Sequence, residues 1–299
     1  MINVTCLFEA QDKLGEGVIW DAQQGVIWWV DVPLPSAIHR LDPLSGKHDK
    51  WIMPEMVMSL SKQNDGRLLV ASHHGLNFFD PKDGSLKQIA APEADEPLNR
   101  SNDGGTDAAG RFWFGTMRNN IGSDNSYLNM TESAGNLYRV GADLIPMRMD
   151  HSIGITNSIA WSPDTKTMYF ADTLISTIFA YDFDLSLGAI SNRRIFSEVR
   201  GHGYPDGSCV DAEGYLWNAR WEGGCVIRFA PSGQIDQIVE VPAARVTCCA
   251  FGEADLGTLF ITTSRLHLTA SEMADQPHAG GLFSCRPGVT GQAPNQFIS

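Results

Sequence analysis

Asp211-Ala-Glu-Gly-Tyr-Leu-Trp217 joins a turn sequence to a short apolar run, and this pattern occurs six times along the chain. Asp, Asn, Gly and Ser form the turns, and aliphatic or aromatic residues of high β-propensity follow them. The copies begin at Asp21, Asn64, Asp107, Ser162, Asp211 and Glu253. They recur at intervals of roughly 40 to 60 residues, which is typical of a four-stranded propeller blade rather than of a helical solenoid.

The repeats predict an all-β fold, a six-bladed β-propeller with a central channel. Each turn is followed by one strand, a short connection and a second strand, and radial repetition protects the strand edges that an open sheet would expose. The N-terminal stretch Asn3–Phe8 is expected to complete the last blade beside the C-terminal strands. Glu272–Asp275 is the only stretch that looks helical, and residues 1–299 are expected to form one domain.

Composition and charge narrow the possible partners and compartment. The chain has 299 residues, 43% of them hydrophobic, and a formal net charge of −13, which argues against nucleic acid as a partner. Its start lacks the basic and apolar regions of a signal peptide, and no apolar run is long enough for a membrane span. Six cysteines without a CxxC pair favour free thiols over disulfides. A cytoplasmic protein, a monomer or a weak homodimer, is expected.

A polar ring is predicted at the repeat positions that face the channel. Five residues before the six turns lie Glu16, Ser59, Asn102, Asn157, Asp206 and Cys248. Equivalent positions on the innermost strands of a propeller become neighbours, so Glu16, Asn157 and Asp206 would form an oxygen-rich cluster. Two carboxylates placed close together repel each other, so keeping both ionised costs free energy unless a cation lies between them.

Two interpretations of this ring remain open. Oxygen ligands of this kind suit Ca²⁺, Mg²⁺, Mn²⁺, Zn²⁺ or Fe²⁺, with waters completing the coordination. Alternatively, the polar side chains hydrogen-bond one another and buried water. Ser59 and Cys248 interrupt the ligand set, so any metal site would be lopsided.

Arg100 and Asn102 alternate on the face that carries the ring residues. An arginine beside a metal can hold hydroxyl or carboxylate oxygens of a polar ligand, whereas the alternative is an arginine that ties down a loop carbonyl. The histidines near the channel lack metal-ligand spacing, and we interpret each as structural or as support for a ligand; they are His73, His74, His151 and His202.

Several motifs resemble the SMP-30/gluconolactonase family, which includes regucalcin and the bacterial sugar lactonases. They run in family order from end to end: Leu14-Gly-Glu-Gly, Asn99-Arg-Ser-Asn-Asp-Gly, Gly115-Thr-Met, Ile155-Thr-Asn and Tyr204-Pro-Asp-Gly-Ser-Cys-Val-Asp-Ala-Glu-Gly. Val246-Thr-Cys-Cys-Ala-Phe-Gly and Gln276-Pro-His-Ala-Gly-Gly-Leu-Phe are most similar to bacterial aldono- and pentonolactonases.

The resemblance implies one catalytic divalent metal held by Glu16, Asn157 and Asp206, the three residues that the repeats single out. It also implies that Arg100 and Asn102 contact the sugar. The expected reaction is hydrolysis of a small-molecule sugar lactone, with the metal as Lewis acid and Asp206 accepting a proton from the attacking water.

The chain departs from the family after Gly115-Thr-Met. Regucalcin-like members carry a Glu there, and this chain has Asn120 in its place. Arg118 and Asn120 are therefore candidates for binding sugar hydroxyls, as is a longer lid around Ser123–Glu132. Two other functions stay open: hydrolysis of organophosphates or lipophilic lactones, and a non-catalytic Ca²⁺-binding propeller.

Overall fold

The computed structural model describes residues 2–130 and 132–298. They form six four-stranded antiparallel sheets, each built from strands that are neighbours along the chain, except that the last sheet also takes in the N-terminal strand. The prediction of an all-β, six-bladed propeller is confirmed. In the described residues, no helix is long and apolar enough to cross a membrane.

The N-terminal strand and the first three blades contain these strands. The N-terminal strand is β1 (Thr5–Phe8), and blade 1 consists of β2 (Gly15–Asp21), β3 (Val26–Asp31), β4 (Ala37–Leu41) and β5 (His48–Ile52). Blade 2 consists of β6 (Val57–Lys62), β7 (Leu68–Ser72), β8 (Gly75–Asp80) and β9 (Ser85–Ala90). Blade 3 consists of β10 (Asn99–Thr106), β11 (Phe112–Arg118), β12 (Gly135–Val140) and β13 (Met147–Ile153).

The other three blades complete the ring. Blade 4 consists of β14 (Thr156–Trp161), β15 (Thr167–Asp172), β16 (Thr177–Asp184) and β17 (Ala189–Ser197). Blade 5 consists of β18 (Tyr204–Val210), β19 (Leu216–Trp221), β20 (Cys225–Phe229) and β21 (Ile235–Glu240). Blade 6 consists of β22 (Arg245–Gly252), β23 (Thr258–Ser264), β24 (Leu282–Cys285) and β1.

Two short helical segments interrupt the strands. A 3₁₀ turn covers Thr173–Ile175, and the helix α1 covers Ala270–Asp275. The side chain of Thr269 accepts from the main-chain N–H of Glu272, whose own side chain accepts from the N–H of Thr269, forming a capping box. The helical prediction for Glu272–Asp275 is thus confirmed, with the helix starting two residues earlier.

The ring closes through the N-terminal strand, as predicted. β1 pairs with β24, with Thr5 opposite Ser284 and Cys6 opposite Phe283. Because the two ends of the chain share one sheet, β1 forms the outer edge of blade 6, and the chain passes from β1 into the first blade.

The repeat aspartate is buried and holds the tryptophan of its own blade. In blade 3, Asp107 Oδ1 accepts from the N–H groups of Ala109 (2.9 Å) and Arg111 (3.1 Å), and Oδ2 accepts from the indole of Trp113 at 2.9 Å. Asp211 binds the indole of Trp217 at the same distance in blade 5. One carboxylate therefore closes the turn and satisfies a buried indole, which explains why the Asp-to-Trp spacing recurs.

Every innermost strand bulges at the predicted ring position. The pairing of first and second strands shifts at Glu16/Ile19, Val57/Ser59, Ser101/Gly104, Asn157/Ala160, Pro205/Ser208 and Val246/Cys248. A bulge inserts an extra residue and re-aims the side chains beside it. The bulges are thus the local structure that positions the polar ring.

Candidate active site

A cavity of about 390 Å³ collects most of the predicted site residues. These come from the innermost strands of blades 1, 3, 4 and 5, and from the segment after β11. The predicted residues that line it are Glu16, Arg100, Asn102, Asn120, Asn157 and Asp206. The three proposed metal ligands and three of the four proposed sugar-binding residues therefore share one space.

The two carboxylates of this cavity influence each other. Burial raises the pKa of Glu16 well above its usual range, and the negative charges of Asp206 and Asp103 raise it further. Burial likewise raises the pKa of Asp206, followed by the charge of Asp103, while Arg100 acts in the opposite direction. A cation between the carboxylates would relieve this repulsion, so the charge balance fits a metal site.

Asn157 presents its amide oxygen to Asn102 for a definable reason. Its Nδ2 donates to Thr173 Oγ1 at 2.8 Å, and the hydroxyl of Thr173 donates its own proton to the carbonyl of Pro205 at 2.7 Å. The threonine oxygen can therefore only accept from Asn157, which leaves Oδ1 facing Asn102 and the cavity.

The donor set of Glu16, Asn157 and Asp206 fits a hard divalent cation by its chemistry. Within residues 2–130 and 132–298, no group of three or more His, Cys, Asp or Glu side chains is arranged to hold a metal ion. A metal in this cavity would depend on the amide oxygen of Asn157 in addition to the two carboxylates.

Arg100 organises two asparagines of the cavity. The side chain is 4% exposed, and its Nη1 donates to Asn102 Oδ1 at 2.6 Å while Nη2 donates to Asn120 Oδ1 at 2.9 Å. Burial lowers its pKa to about 10, so the guanidinium remains charged at neutral pH. Nη1 also donates to the main-chain carbonyl of Ser101, which agrees with the alternative of an arginine that ties down a carbonyl; its contact with a polar ligand stays a prediction.

Asp103 is a third carboxylate, half-buried, that no sequence pattern singles out. Burial raises its pKa to about 6. It accepts from the N–H of Gly104 at 2.8 Å and from that of Ile159 in the next blade at 3.3 Å. In a regular strand, Asp103 would point to the face opposite that of Asn102. The bulge after Ser101 brings its charge close to Glu16 and Asp206.

Several residues considered for the site lie elsewhere. Arg118 does not line the cavity; its Nη2 pairs with Glu132 at 2.7 Å on the surface. Ser59 and Cys248 are buried and also do not line it. His73 and His74 line a second cavity of about 280 Å³ that shares Arg100 with the first, and burial lowers the pKa of His73 to about 4.

The upper wall of the cavity consists mainly of apolar residues from loops and strand ends, outside the repeated positions. They are Leu14, Met117, Ile121, Tyr127, Ile155, Leu174, Tyr204, Trp221 and Leu266, with His267 beside them. The repeat pattern carried no signal for any of them. Sequence reasoning therefore singled out the polar floor and, apart from the lid around Ser123–Glu132, missed the apolar wall that shapes the cavity.

The predicted lid contributes to this wall. Tyr127 packs edge-on against His267, and His267 Nε2 lies 2.7 Å from the carbonyl of Asn125. Asn125 Nδ2 also donates to the carbonyl of Leu34 at 2.7 Å. The segment that follows β11 thus contacts blades 1 and 6 across the cavity; residue 131 of the predicted lid lies outside the described residues.

Comparisons with known proteins show the family to which the chain belongs. A family model described as SMP-30/Gluconolactonase/LRE-like region matches residues 14–265. The chain is 36% identical to the L-arabinolactonase of Azospirillum brasilense, over 99% of this chain and 95% of that protein. It is 32% identical to the 6-deoxy-6-sulfogluconolactonase of Pseudomonas putida, over 99% and 98%.

A solved structure is similar over the whole chain. The calcium-binding protein regucalcin from Agrobacterium tumefaciens superposes with a TM-score of 0.91 at 32% identity, covering 100% of this chain and 98% of that one.

Proposed function

The chain belongs to the SMP-30/gluconolactonase/LRE-like family, as its motifs predicted, and we propose that it hydrolyses a sugar lactone, a pentono- or hexonolactone, to the open aldonic acid. The observation that carries this proposal is the shared cavity of Glu16, Asn157 and Asp206 with Arg100 and Asn102. Relatives named as lactonases over almost the full chain support it.

We propose that Glu16, Asn157 and Asp206 hold one divalent metal ion. When bound, such an ion would supply Lewis acidity toward the lactone carbonyl and would lower the pKa of a water molecule. Candidates are Ca²⁺, Mg²⁺, Mn²⁺, Zn²⁺ and Fe²⁺, because all the donors are oxygen atoms.

Asp206 is the proposed general base. Its carboxylate takes a proton from the attacking water as the water oxygen bonds to the lactone carbonyl carbon. When the ring C–O bond breaks, Asp206 returns that proton to the leaving ring oxygen, and the product is the hydroxy acid. The open carboxylate product is then repelled by the acidic cavity floor.

Arg100, Asn102 and Asn120 are the proposed sugar-binding residues. Arg100 fixes the amide oxygens of both asparagines, and Asn120 Nδ2 has no hydrogen-bond partner within the described part of the chain. That amide is available to a ring hydroxyl. Arg118, paired with Glu132 outside the cavity, is not part of this proposal.

The charges favour an uncharged lactone over an anionic one. Arg100 is the only Arg or Lys among the described residues that line the cavity, and its Nη atoms already donate to protein oxygens. Three carboxylates, Glu16, Asp103 and Asp206, lie at or behind the floor. Among the described residues that line the cavity, a sulfonate or carboxylate substituent would meet a single arginine whose Nη atoms are already engaged and a floor that carries net negative charge.

A second candidate is a lactone with an apolar substituent. The upper wall, with Ile121, Leu174 and Trp221 among its residues, favours burial of apolar surface above the polar floor.

The described cysteines are all free, which supports the proposal that the protein is cytoplasmic. We propose a monomer or weak homodimer that binds neither nucleic acid nor membrane.

The test is proton release from a lactone panel, corrected for spontaneous hydrolysis, with chelator-treated protein and single divalent ions added back. The panel contains pentono- and hexonolactones, a 6-sulfo analogue and an alkyl-substituted lactone. Asp206→Asn is the inactive variant and Arg118→Ala the matched control. Turnover of uncharged sugar lactones is expected; turnover restricted to the alkyl lactone would favour the second candidate, and no turnover with any ion would overturn both.

A further inference from the structure

Ser158 adopts a backbone conformation that its side chain disfavours. Its φ is 60°, in the left-handed region, and the residue is fully buried directly after Asn157. Glycine reaches this region freely, whereas a residue with a Cβ does so at a cost. At the equivalent position after Glu16, the chain has Gly17, with a φ of 58°. Blade 4 has a serine where glycine would fit without strain, so we looked to the contacts of the serine hydroxyl group for the reason.

The hydroxyl of Ser158 has a hydrogen-bond partner for each of its sites. Oγ donates to the main-chain carbonyl of Asp206 at 2.5 Å and accepts from Asn218 Nδ2 and Ser208 Oγ, each at 3.0 Å. A hydroxyl offers one donor and two acceptor positions, so all three are used. Its partners all belong to blade 5, whereas Asn157 belongs to blade 4.

Hydrogen bonds fix the position of the main-chain carbonyl of Asp206. Pairing between β18 and β19 shifts between Pro205 and Ser208, so this carbonyl lies at the bulge. It accepts from Ser158 and, at 3.0 Å, from Asn218 Nδ2. Asn218 is itself oriented by Arg220, whose Nη1 donates to Asn218 Oδ1 at 2.9 Å; since arginine only donates, the amide nitrogen must face Ser158 and Asp206.

We propose that Ser158 is a positioning residue that sets the spacing between the two metal-ligand candidates Asn157 and Asp206. Its backbone carries Asn157, and its hydroxyl holds the main chain of Asp206, so one residue links the ligand strands of neighbouring blades. This inference rests on the proposed metal site. Residues that orient ligands from behind typically change metal affinity or activity by about 10- to 100-fold when they are lost.

Two substitutions separate the hydroxyl from the backbone. Ser158→Gly removes the hydroxyl and relieves the left-handed strain, whereas Ser158→Ala removes the hydroxyl and keeps the strain. Their ion-free melting temperatures should therefore differ, with the glycine variant higher. If the hydroxyl positions the ligands, both variants should nevertheless bind the ion more weakly than the wild type.

The experiment is titration of chelator-treated protein with Mn²⁺ and Ca²⁺ by calorimetry, together with ion-free thermal unfolding. Ser152→Gly is the matched control, because Ser152 is an exposed serine with the same φ of 60°. We expect Ser158→Gly and Ser158→Ala to raise the Kd about tenfold and Ser152→Gly to leave it unchanged.

Wild-type affinity in Ser158→Gly would overturn the positioning role and leave the metal site standing. Absence of ion binding by the wild type would overturn the metal site and, with it, this inference. The two failures are thus distinguishable.

Discussion

The side-chain amide of Asn102 donates a 3.1 Å hydrogen bond to Oδ1 of Asn157, joining a proposed sugar-binding residue of blade 3 to a proposed metal ligand of blade 4. The same nitrogen donates to the carbonyl of Thr156 at 2.8 Å, and Asn102 Oδ1 accepts from Arg100. Substitutions of Asn102 should therefore change the turnover of substrate and the affinity for the ion in different directions.

Asn102→Asp should bind a divalent ion more tightly and turn over substrate more slowly. The new carboxylate joins Glu16 and Asp206 around the site, while the Nδ2 donor to Asn157 is lost. We expect kcat/KM to fall by about 10- to 100-fold, measured with the lactone assay beside calorimetric ion titration. Asn192→Asp, which adds the same charge on the exposed edge of blade 4, is the control. Weaker ion binding by Asn102→Asp would contradict this account.

Thr173→Val should weaken ion binding by about tenfold, because it removes the hydroxyl that orients the Asn157 amide. Valine has nearly the same shape, so the change isolates the hydroxyl group. Thr177→Val is the matched control, because Thr177 is a threonine of blade 4 whose hydroxyl donates to the carbonyl of Ile175. Equal affinity in both variants would show that Asn157 does not depend on Thr173 for its orientation.

Asp206→Asn should stabilise the ion-free protein at alkaline pH. Burial, and then the charge of Asp103, raises the pKa of Asp206 in the folded state, so that state binds its proton more tightly than the unfolded chain. Wild-type stability therefore falls as pH rises above the unfolded pKa and through the folded one. The advantage of the variant should grow from pH 5 to pH 8, as measured by urea unfolding with chelator present.

Asp184 provides a control of opposite sign for this prediction. A hydrogen bond from Ser186 lowers its pKa in the folded state, so its contribution to stability is present above the unfolded pKa and lost as pH falls. Asp184→Asn should thus gain no stability at pH 8. If Asp206→Asn also gained no stability at pH 8, the pKa of Asp206 would not be raised in the folded state.

Arg118→Ala should leave kcat/KM unchanged, whereas Arg100→Ala should lower it about 100-fold. Arg118 forms an exposed pair with Glu132, and such pairs contribute about 0 to 1 kcal/mol to stability. Arg100 holds Asn102 and Asn120, so its loss displaces both amides, and small displacements in a site can cost about 100-fold in rate. Steady-state kinetics with a urea unfolding curve for each variant would decide between activity and stability effects. A marked loss of activity in Arg118→Ala would show that Arg118 does take part in substrate binding.

The ring was predictable from sequence because it depends on repetition. Equivalent residues of a radial repeat lie near the axis, so the turns marked six positions, and the oxygen atoms of their side chains singled out Glu16, Asn157 and Asp206 among them. Closure by the N-terminal strand followed from the same reasoning. The pairing of Asp107 with Trp113 is likewise a local bond within one repeat, so it recurs wherever the spacing does.

Tertiary structure alone decided the features that depend on contacts between blades. The bulge after Ser101 brings Asp103 toward Glu16 and Asp206, and strand alternation does not reveal it. Ser158 reaches Asp206 across a blade boundary, 48 residues along the chain. The apolar wall comes from loops whose positions are set by packing and not by the repeat. Periodic sequence therefore determined the propeller and its polar floor, because periodicity is a local property. The shape of the cavity was decided by non-repeating segments that meet only in the folded chain.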